Sequence, residues 1–283
     1  MKKFALIGNP ISHSKSPALF HAAYPNEPNE GTPKAINLST PNGCATHYVP
    51  SAEPMFYDLI EKETIEESVE RLQQGGYLAS NVTAPYKEEA MRYVTAPSNV
   101  CKLLQAGNLL LFKEEGTYGF NTDYLAVRRL LQDAKTAKKF TLQDPVVVLV
   151  VGCGGAGKAA ALAAKDEGLN TLITNRGEEK ALNFARSIGI KMVTNQQACQ
   201  LLTALEPANT LVIYALPQKD ELLYPLLLNL STRLIGIVEA NYKNPCLNPT
   251  TGRKWLLYQA VEGFRLMTGM TPNLAAMREV LNL

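Results

Sequence analysis

The stretch "VVVLVVGCGGAGKAAALAAKDEGLNTLITNR", residues 146–176, decides the fold of this chain. Its opening run from Val146 to Val151 is continuous and almost wholly β-branched, the pattern of a parallel strand covered on both faces. Gly152, Gly154 and Gly157 follow in GxGxxG spacing and lead into an alanine-rich segment that ends at Gly168. "TLITN" then reads as a second strand. A strand, a glycine turn, a helix and a second strand form the frame in which this motif binds a dinucleotide. Gly152 permits the tight turn, and Gly154 has no Cβ to hold the backbone away from a pyrophosphate. With Gly155 and Ala156, the helix start offers unpaired N–H groups and the positive end of a dipole to that anion.

The end of the second strand selects the cofactor. An NAD site usually places a carboxylate there, whereas this chain reads Thr174, Asn175, Arg176. A guanidinium suits a 2′-phosphate, because its planar fork can stack on adenine and bind phosphate oxygens. The pair Asn175 and Arg176 therefore points to NADP. Glu178, two residues further on, keeps NAD open through a ribose hydroxyl.

Downstream, "EKALNFARSIG" reads as a helix, and "TLVIYALP" and "RLIGIVEANY" as further strands. Strands alternating with helices imply a parallel, doubly wound, Rossmann-type sheet. Upstream, the lysine-rich "DAKTAKKFTLQDP" (133–145) reads as a linker. Before it, "FALIG" is a first strand and "PALFHAAY" a helix with Pro17 at its first position. A long polar loop is expected over 26–46, and "THYVP" as a strand. "TIEESVERLQQGG" is an amphipathic helix with a Thr64/Glu67 capping box and Gly75 at C′. "GYLASNVT" reads as a strand, "PYKEEAMRYV" as a helix, and "LLLFKEEGTYGFNTD" as a hairpin leading into the helix "YLAVRRLLQDAK".

Length and composition narrow the function. The 283 residues allow two domains, and 46% hydrophobic with 19% charged residues fits a soluble globular protein. A formal charge of +2 supplies no field for nucleic acid or a membrane surface. No apolar run reaches the roughly 18 residues of a membrane helix. The apolar part of "MKKFALIGNP" is too short for a signal peptide, so a cytoplasmic protein is expected. The five cysteines are odd in number and scattered without CxxC spacing, which reads as reduced thiols. His13, His21 and His47 form no metal-ligand pattern.

Polar side chains gather at three element ends. In "NPISHSKSP" (9–17), Ser16 reads as a helix cap, and Ser14 adds a second hydroxyl where a small carboxylate would fit. Asn81 and Thr83 leave a strand, and Lys87 falls in the first turn of the expected helix, where the dipole disfavours a cation. Asp123 follows Asn121 and Thr122 where a helix cap would stand.

The segments "GNPISHSKSP", "NVTAPYKEEAM", "GFNTD", "GCGGAG" with "TNR", and "YQAVEGFRLMTG" occur in the order seen in one family. Over almost its whole length the chain resembles the shikimate dehydrogenases, including the related quinate/shikimate enzymes. The resemblance implies a substrate domain over 1–123, a nucleotide domain over 124–256, and C-terminal helices over 257–283 that return to the first domain. It implies reversible, NADP-dependent reduction of 3-dehydroshikimate to shikimate, a step toward chorismate and the aromatic amino acids, in a cleft between the domains. Ser14 and Ser16, helped by Tyr242, would bind the substrate carboxylate. Asn81, Thr83, Asn108, Asp123 and Gln259 would surround the ring hydroxyls. Lys87 and Asp123 would form the catalytic pair. Gly152, Gly154, Gly155 and Ala156 with Asn175 and Arg176 would hold NADP, and Gly252 would lie near the nicotinamide. The expected partner is a small molecule, with no metal and with a monomer or homodimer as the assembly.

The chain departs from the family pattern at several positions. Leu109 replaces a threonine beside Asn108, and Tyr124 a glycine. Gly177 replaces a threonine, and Lys254 and Trp255 replace Gly and Met after Gly252. Two alternatives accompany these changes. One is an NAD(P)-dependent dehydrogenase of quinate or another polyhydroxy ring acid. The other is a catalytically silent dinucleotide-binding regulatory protein. Bulky Tyr124 and Trp255 favour the latter, whereas retention of Lys87 with Asp123 favours an enzyme.

Overall fold

The computed structural model describes residues 2–24, 55–137, 146–204, 209–245, 247–248 and 250–283. The loop expected over 26–46, the "THYVP" strand, the linker beyond residue 137, Cys44, His47 and Cys246 lie outside the described residues. The chain divides into two compact units, one of residues 1–122 with 259–283 and the other of residues 123–258.

The first unit opens with β1 (Lys2–Gly8), α1 (Ser16–Ala23), β2 (Met55–Glu61), α2 (Ile65–Gly75) and β3 (Ala79–Val82). It continues with β4 (Ala96–Pro97), α3 (Asn99–Leu104), β5 (Leu109–Lys113) and β6 (Gly116–Phe120). These strands form one sheet in the order β2-β1-β3-β5-β6-β4. β1 pairs in parallel with β2 and β3, while β3–β5 and the β5–β6 hairpin are antiparallel. One face packs Ala5, Ile7, Val82 and Leu110 against Val69 and Leu72 of α2. The aromatic rings of Phe4, Tyr57 and Phe264 surround Phe20 of α1 at 4.7–5.2 Å.

Three local expectations are corrected. Ser16 is the first residue of α1 and does not cap it, and Pro17 is the second. The Ser14 hydroxyl takes up the Ser16 amide instead, at 3.2 Å. The Thr64 side chain does accept from the Glu67 amide, but the left-handed residue that stops α2 is Gly76, at φ 65°, rather than Gly75. The α-helix expected over 85–94 does not form. Pro85 has no N–H to donate. The backbone bonds there run mostly to the third residue back, as from Tyr86 N to Thr83 O and Met91 N to Glu88 O. A short 3₁₀ helix, Glu89–Tyr93, follows a run of turns. The Tyr86 hydroxyl ties this segment down by donating to Lys62 O at 2.6 Å.

The second unit contains most of α4 (Thr122–Thr136), then β7 (Val147–Val151), α5 (Gly155–Asp166), β8 (Asn170–Thr174), α6 (Glu178–Ile188) and β9 (Lys191–Met192). After these come α7 (Asn195–Ala204), β10 (Thr210–Tyr214), α8 (Leu223–Leu230), β11 (Gly236–Glu239) and the start of α9 (Thr251–Thr268). Its sheet is wholly parallel, in the order β11-β10-β7-β8-β9. That order reverses direction between β7 and β10, the switch point at which open α/β sheets bind ligands. Leu149 and Val151 pack with Leu202 of α7 and Leu223 and Leu227 of α8. Val148 and Val150, pointing the other way, are equally buried, which explains the unbroken apolar run. The remainder of α9, from Gln259, and α10 (Leu274–Val280) belong to the first unit, where Asn273 N donates to Ala23 O.

Candidate active site

In the first unit five of the expected substrate residues, Ser14, Ser16, Asn81, Asn108 and Gln259, join one hydrogen-bonded relay. The Ser14 hydroxyl donates to that of Ser16 at 3.1 Å. Ser16 in turn hydrogen-bonds Tyr57, whose phenol is pushed up by burial and pulled partly back by that serine. The Tyr57 hydroxyl donates to Asn81 Oδ1 at 2.7 Å, and Asn81 Nδ2 donates to Asn108 O at 3.3 Å. Asn108 Nδ2 donates to Gln259 Oε1 at 3.3 Å and to Thr122 Oγ1 at 3.0 Å. Asn108 Oδ1 accepts from the Thr122 amide at 2.7 Å, at the start of α4. At 2% exposure, Asn108 spends its amide on holding Gln259 and Thr122.

Two further first-unit residues are placed by backbone bonds. Thr83 leaves β3 with its amide on Ile7 O, and its carbonyl accepts from Tyr86 N. The Lys87 carbonyl accepts from Gly107 N at 2.9 Å, next to Asn108. Lys87 therefore opposes no helix dipole, because it sits in turns before the 3₁₀ segment. Two contributors are absent from the sequence reasoning. Tyr57 links the serines to Asn81. Glu61 Oε2 accepts from the amides of Ile11 and Ser12 at 2.6 and 3.0 Å, fixing the loop that carries Ser14. Both lie on β2, where Tyr57, Leu59 and Glu61 alternate along "MFYDLIE", the one signal that could have found them.

In the second unit the glycines divide their labour. Gly152 has φ +111°, a conformation that L side chains rarely adopt. A Cβ on Gly157 would stand 1.9 Å from Gly152 O, so this glycine lets α5 close onto the turn. A Cβ on Gly154 would meet nothing within 4 Å. Its φ of −85° and ψ of −175° suit any residue. The space over exposed Gly154, beside the amides of Gly155 and Ala156 at the start of α5, is open, so nothing there obstructs a dinucleotide pyrophosphate at the helix N-terminus. Asn175 braces the glycine turn: its Oδ1 accepts from Cys153 N and its Nδ2 donates to Gly177 O, both at 3.2 Å.

Exposed Arg176 lines a cleft of about 400 Å³ with Asn195, Lys219 and Asp220. Its wall is built by Asn195, which accepts from Thr174 and donates to Asp220. Asp220 itself accepts the amides of Leu222 and Leu223 at the start of α8. The lining carries two cations, Arg176 and Lys219, and two carboxylates, Asp220 and Glu221, and the Lys219 ammonium stands 4.9 Å over the Tyr224 ring, which leaves the exposed Arg176 guanidinium as the group suited to a phosphate.

Asp123, expected as a helix cap, is instead the second residue of α4 and is 2% exposed. Its Oδ1 accepts from Trp255 Nε1 at 2.9 Å. Tyr124 turns its hydroxyl to Asp166 Oδ2 at 2.8 Å, at the end of α5. Gly252 lies in the first turn of α9, where a Cβ would stand 2.6 Å from Asn241 O. Tyr242 lies on the loop after β11, where Asn241 Oδ1 accepts from the amides of Lys243 and Asn244. Among the described residues no helix is long and apolar enough to cross a membrane.

The family model for the shikimate dehydrogenase substrate binding domain matches residues 6–110, and that for the shikimate 5′-dehydrogenase C-terminal domain matches 256–281. A model for an FAD binding domain matches 147–204, the strand–turn–helix frame that binders of different dinucleotides share. The shikimate dehydrogenase (NADP(+)) of Natronomonas pharaonis is 30% identical over 298 residues, covering 99% of this chain and 98% of its own. That of Methanococcoides burtonii is 29% identical over 296 residues, with 99% and 98% covered. The structure of Thermus thermophilus shikimate 5-dehydrogenase in complex with NADP(H) and shikimate shares the fold. Its TM-score is 0.68 at 24% identity, over 100% of this chain and 99% of that one. With a near full-length relative at 30% identity, the chain belongs to the shikimate dehydrogenase family.

Proposed function

We propose that this protein is an NADP-dependent shikimate dehydrogenase that reversibly reduces the ring ketone of 3-dehydroshikimate to the hydroxyl of shikimate. The observation that carries the reading is the relay from Ser14 through Tyr57, Asn81 and Asn108 to Gln259. Paired hydroxyls at one end suit a carboxylate, and amides along it suit ring hydroxyls. A site of this kind rejects analogues that lack a hydroxyl, because a buried polar group is then left without a partner.

Reduction of a ketone needs a hydride on carbon and a proton on oxygen. The glycine turn at Gly154 and the guanidinium of Arg176 would hold NADPH, which would supply the hydride when bound. The Lys87 ammonium gives the proton to the forming alkoxide and, in the oxidative direction, takes it back. Asp123 accepts a hydrogen bond from the reacting hydroxyl and orients it. Ser14, Ser16 and Tyr242 hold the carboxylate, and Thr83, Asn81 and Gln259 hold the ring. The substrate is a small molecule handled in the cytoplasm, with neither nucleic acid nor membrane taking part, by a monomer or homodimer.

The test is an assay of shikimate and quinate, each with NADP and NAD, beside the Lys87→Ala variant. The reading expects shikimate with NADP to turn over fastest, and Lys87→Ala to bind shikimate while losing turnover. Full turnover by Lys87→Ala would overturn the role of the lysine. Preference for quinate or NAD would overturn the specificity.

A further inference from the structure

Asp123 poses a problem that the residues around it solve. A carboxylate at 2% exposure is costly unless it accepts hydrogen bonds. One comes from the indole of Trp255, itself 3% exposed. An indole N–H only donates and does not titrate, so the contact has one polarity at every working pH. The ring is also firmly held. The α9 segment that carries it is anchored at its start, where Glu239 N donates to Thr251 Oγ1 at 2.9 Å. Gly252 allows the backbone of α9 to close on Asn241 O. One turn after Trp255, the Tyr258 hydroxyl donates to Asp133 Oδ2, a second bond from α9 to α4. Trp255 also stands at a position where the family usually carries methionine, which has no N–H to donate.

We propose that Trp255 is a positioning residue, an indole clamp that holds the Asp123 carboxylate in one rotamer for the reacting hydroxyl. The inference rests on the reading of Asp123 as a member of the catalytic pair. It gives Trp255 a role opposite to that of an obstruction. A carboxylate held by a rigid partner loses less freedom when the substrate binds, and misaligned orienting groups reduce turnover more than binding.

The test compares Trp255→Phe, which keeps an aromatic ring and removes the N–H, with Asp123→Asn in the full chain. Trp255→Phe should lower kcat about tenfold to a hundredfold while the shikimate KM stays within about threefold. Because Trp255 is the chain's single tryptophan, its indole N–H gives one resolved ¹H–¹⁵N signal. Asp123→Asn, which removes the anionic acceptor, should move that signal upfield. Wild-type turnover in Asp123→Asn would refute the catalytic reading itself. An inactive Asp123→Asn together with unchanged kcat in Trp255→Phe would refute the clamp alone. Should Trp255→Phe fail to fold, an indole signal unmoved in Asp123→Asn would still overturn it.

Discussion

Alanine at Gly154 and at Gly157 separates a glycine kept for a ligand from one kept for the fold. At Gly154 the new methyl meets nothing within 4 Å. Gly154 is also the N-cap of α5, where alanine is less favourable than glycine, while alanine stiffens the unfolded chain. These effects offset to within about 0.5 kcal/mol, or roughly 2 °C in melting temperature. The methyl would occupy the space assigned to the pyrophosphate. Losing one hydrogen bond to a charged group, about 1.5–3 kcal/mol, weakens NADP binding roughly tenfold to a hundredfold. At Gly157 the methyl lies 1.9 Å from a backbone oxygen, so α5 must retreat by about 1 Å. Overpacking of this kind costs about 1–3 kcal/mol. At about 2–4 °C per kcal/mol the variant should melt about 2–12 °C early. Thermal melting with and without NADP, beside calorimetric titration of NADP, reads both effects. The reasoning fails if Gly154→Ala binds NADP like the wild type, or if it melts as early as Gly157→Ala.

Three further outcomes follow from particular contacts. Arg176→Gln should raise the KM for NADP about tenfold or more and leave that for NAD unchanged, because a charge-assisted fork to the 2′-phosphate is lost; equal effects on both cofactors would contradict the assignment. Glu61→Ala removes the acceptor of the Ile11 and Ser12 amides, so the shikimate KM should rise about threefold to tenfold with kcat little changed, as steady-state kinetics will read. Burial alone would raise the Glu167 carboxyl, but hydrogen bonds from Lys135 and Arg128 outweigh it and leave the group below its ordinary 4.5. A carboxyl lowered in the folded state stabilises fully above its unfolded value and loses that contribution as pH falls through its folded value. Glu167→Gln should therefore melt about 2–4 °C below the wild type at pH 7, with the gap closing below pH 4.5; a gap independent of pH would refute this.

The nucleotide-binding unit was legible because its signals are local. A continuous β-branched run and three spaced glycines describe backbone chemistry that neighbouring residues complete among themselves. Two of its helices, α7 and α8, carry weaker sequence signals, for different reasons. The α7 start carries a reciprocal box, with Thr194 and Gln197 side chains each accepting the other's amide, which was readable as T-N-Q-Q. The α8 sequence "LYPLLLNL" is apolar throughout, and its helix is capped by Asp220, which lies ahead of the element. In the first unit, "PYKEEAMRYV" carries helix-forming residues, yet Pro85 and the Tyr86–Lys62 bond hold it in turns and a short 3₁₀ segment. No α-helix starts beside Lys87, so the helix dipole that singles it out in the sequence does not act on it.

By itself, the order of residues determined which groups this protein possesses: a parallel strand ending in a glycine turn, an arginine after the second strand, and serines, amides, a lysine and an aspartate at element ends. Tertiary structure alone decided which of them touch. Asn108 finds Gln259 across 151 positions, and Asp123 finds Trp255 across 132. The physical reason is range. Backbone dihedrals and hydrophobic periods are set by neighbours a few residues away, whereas a side chain's hydrogen-bond partner is chosen by the packing of whole elements, which no local spacing records.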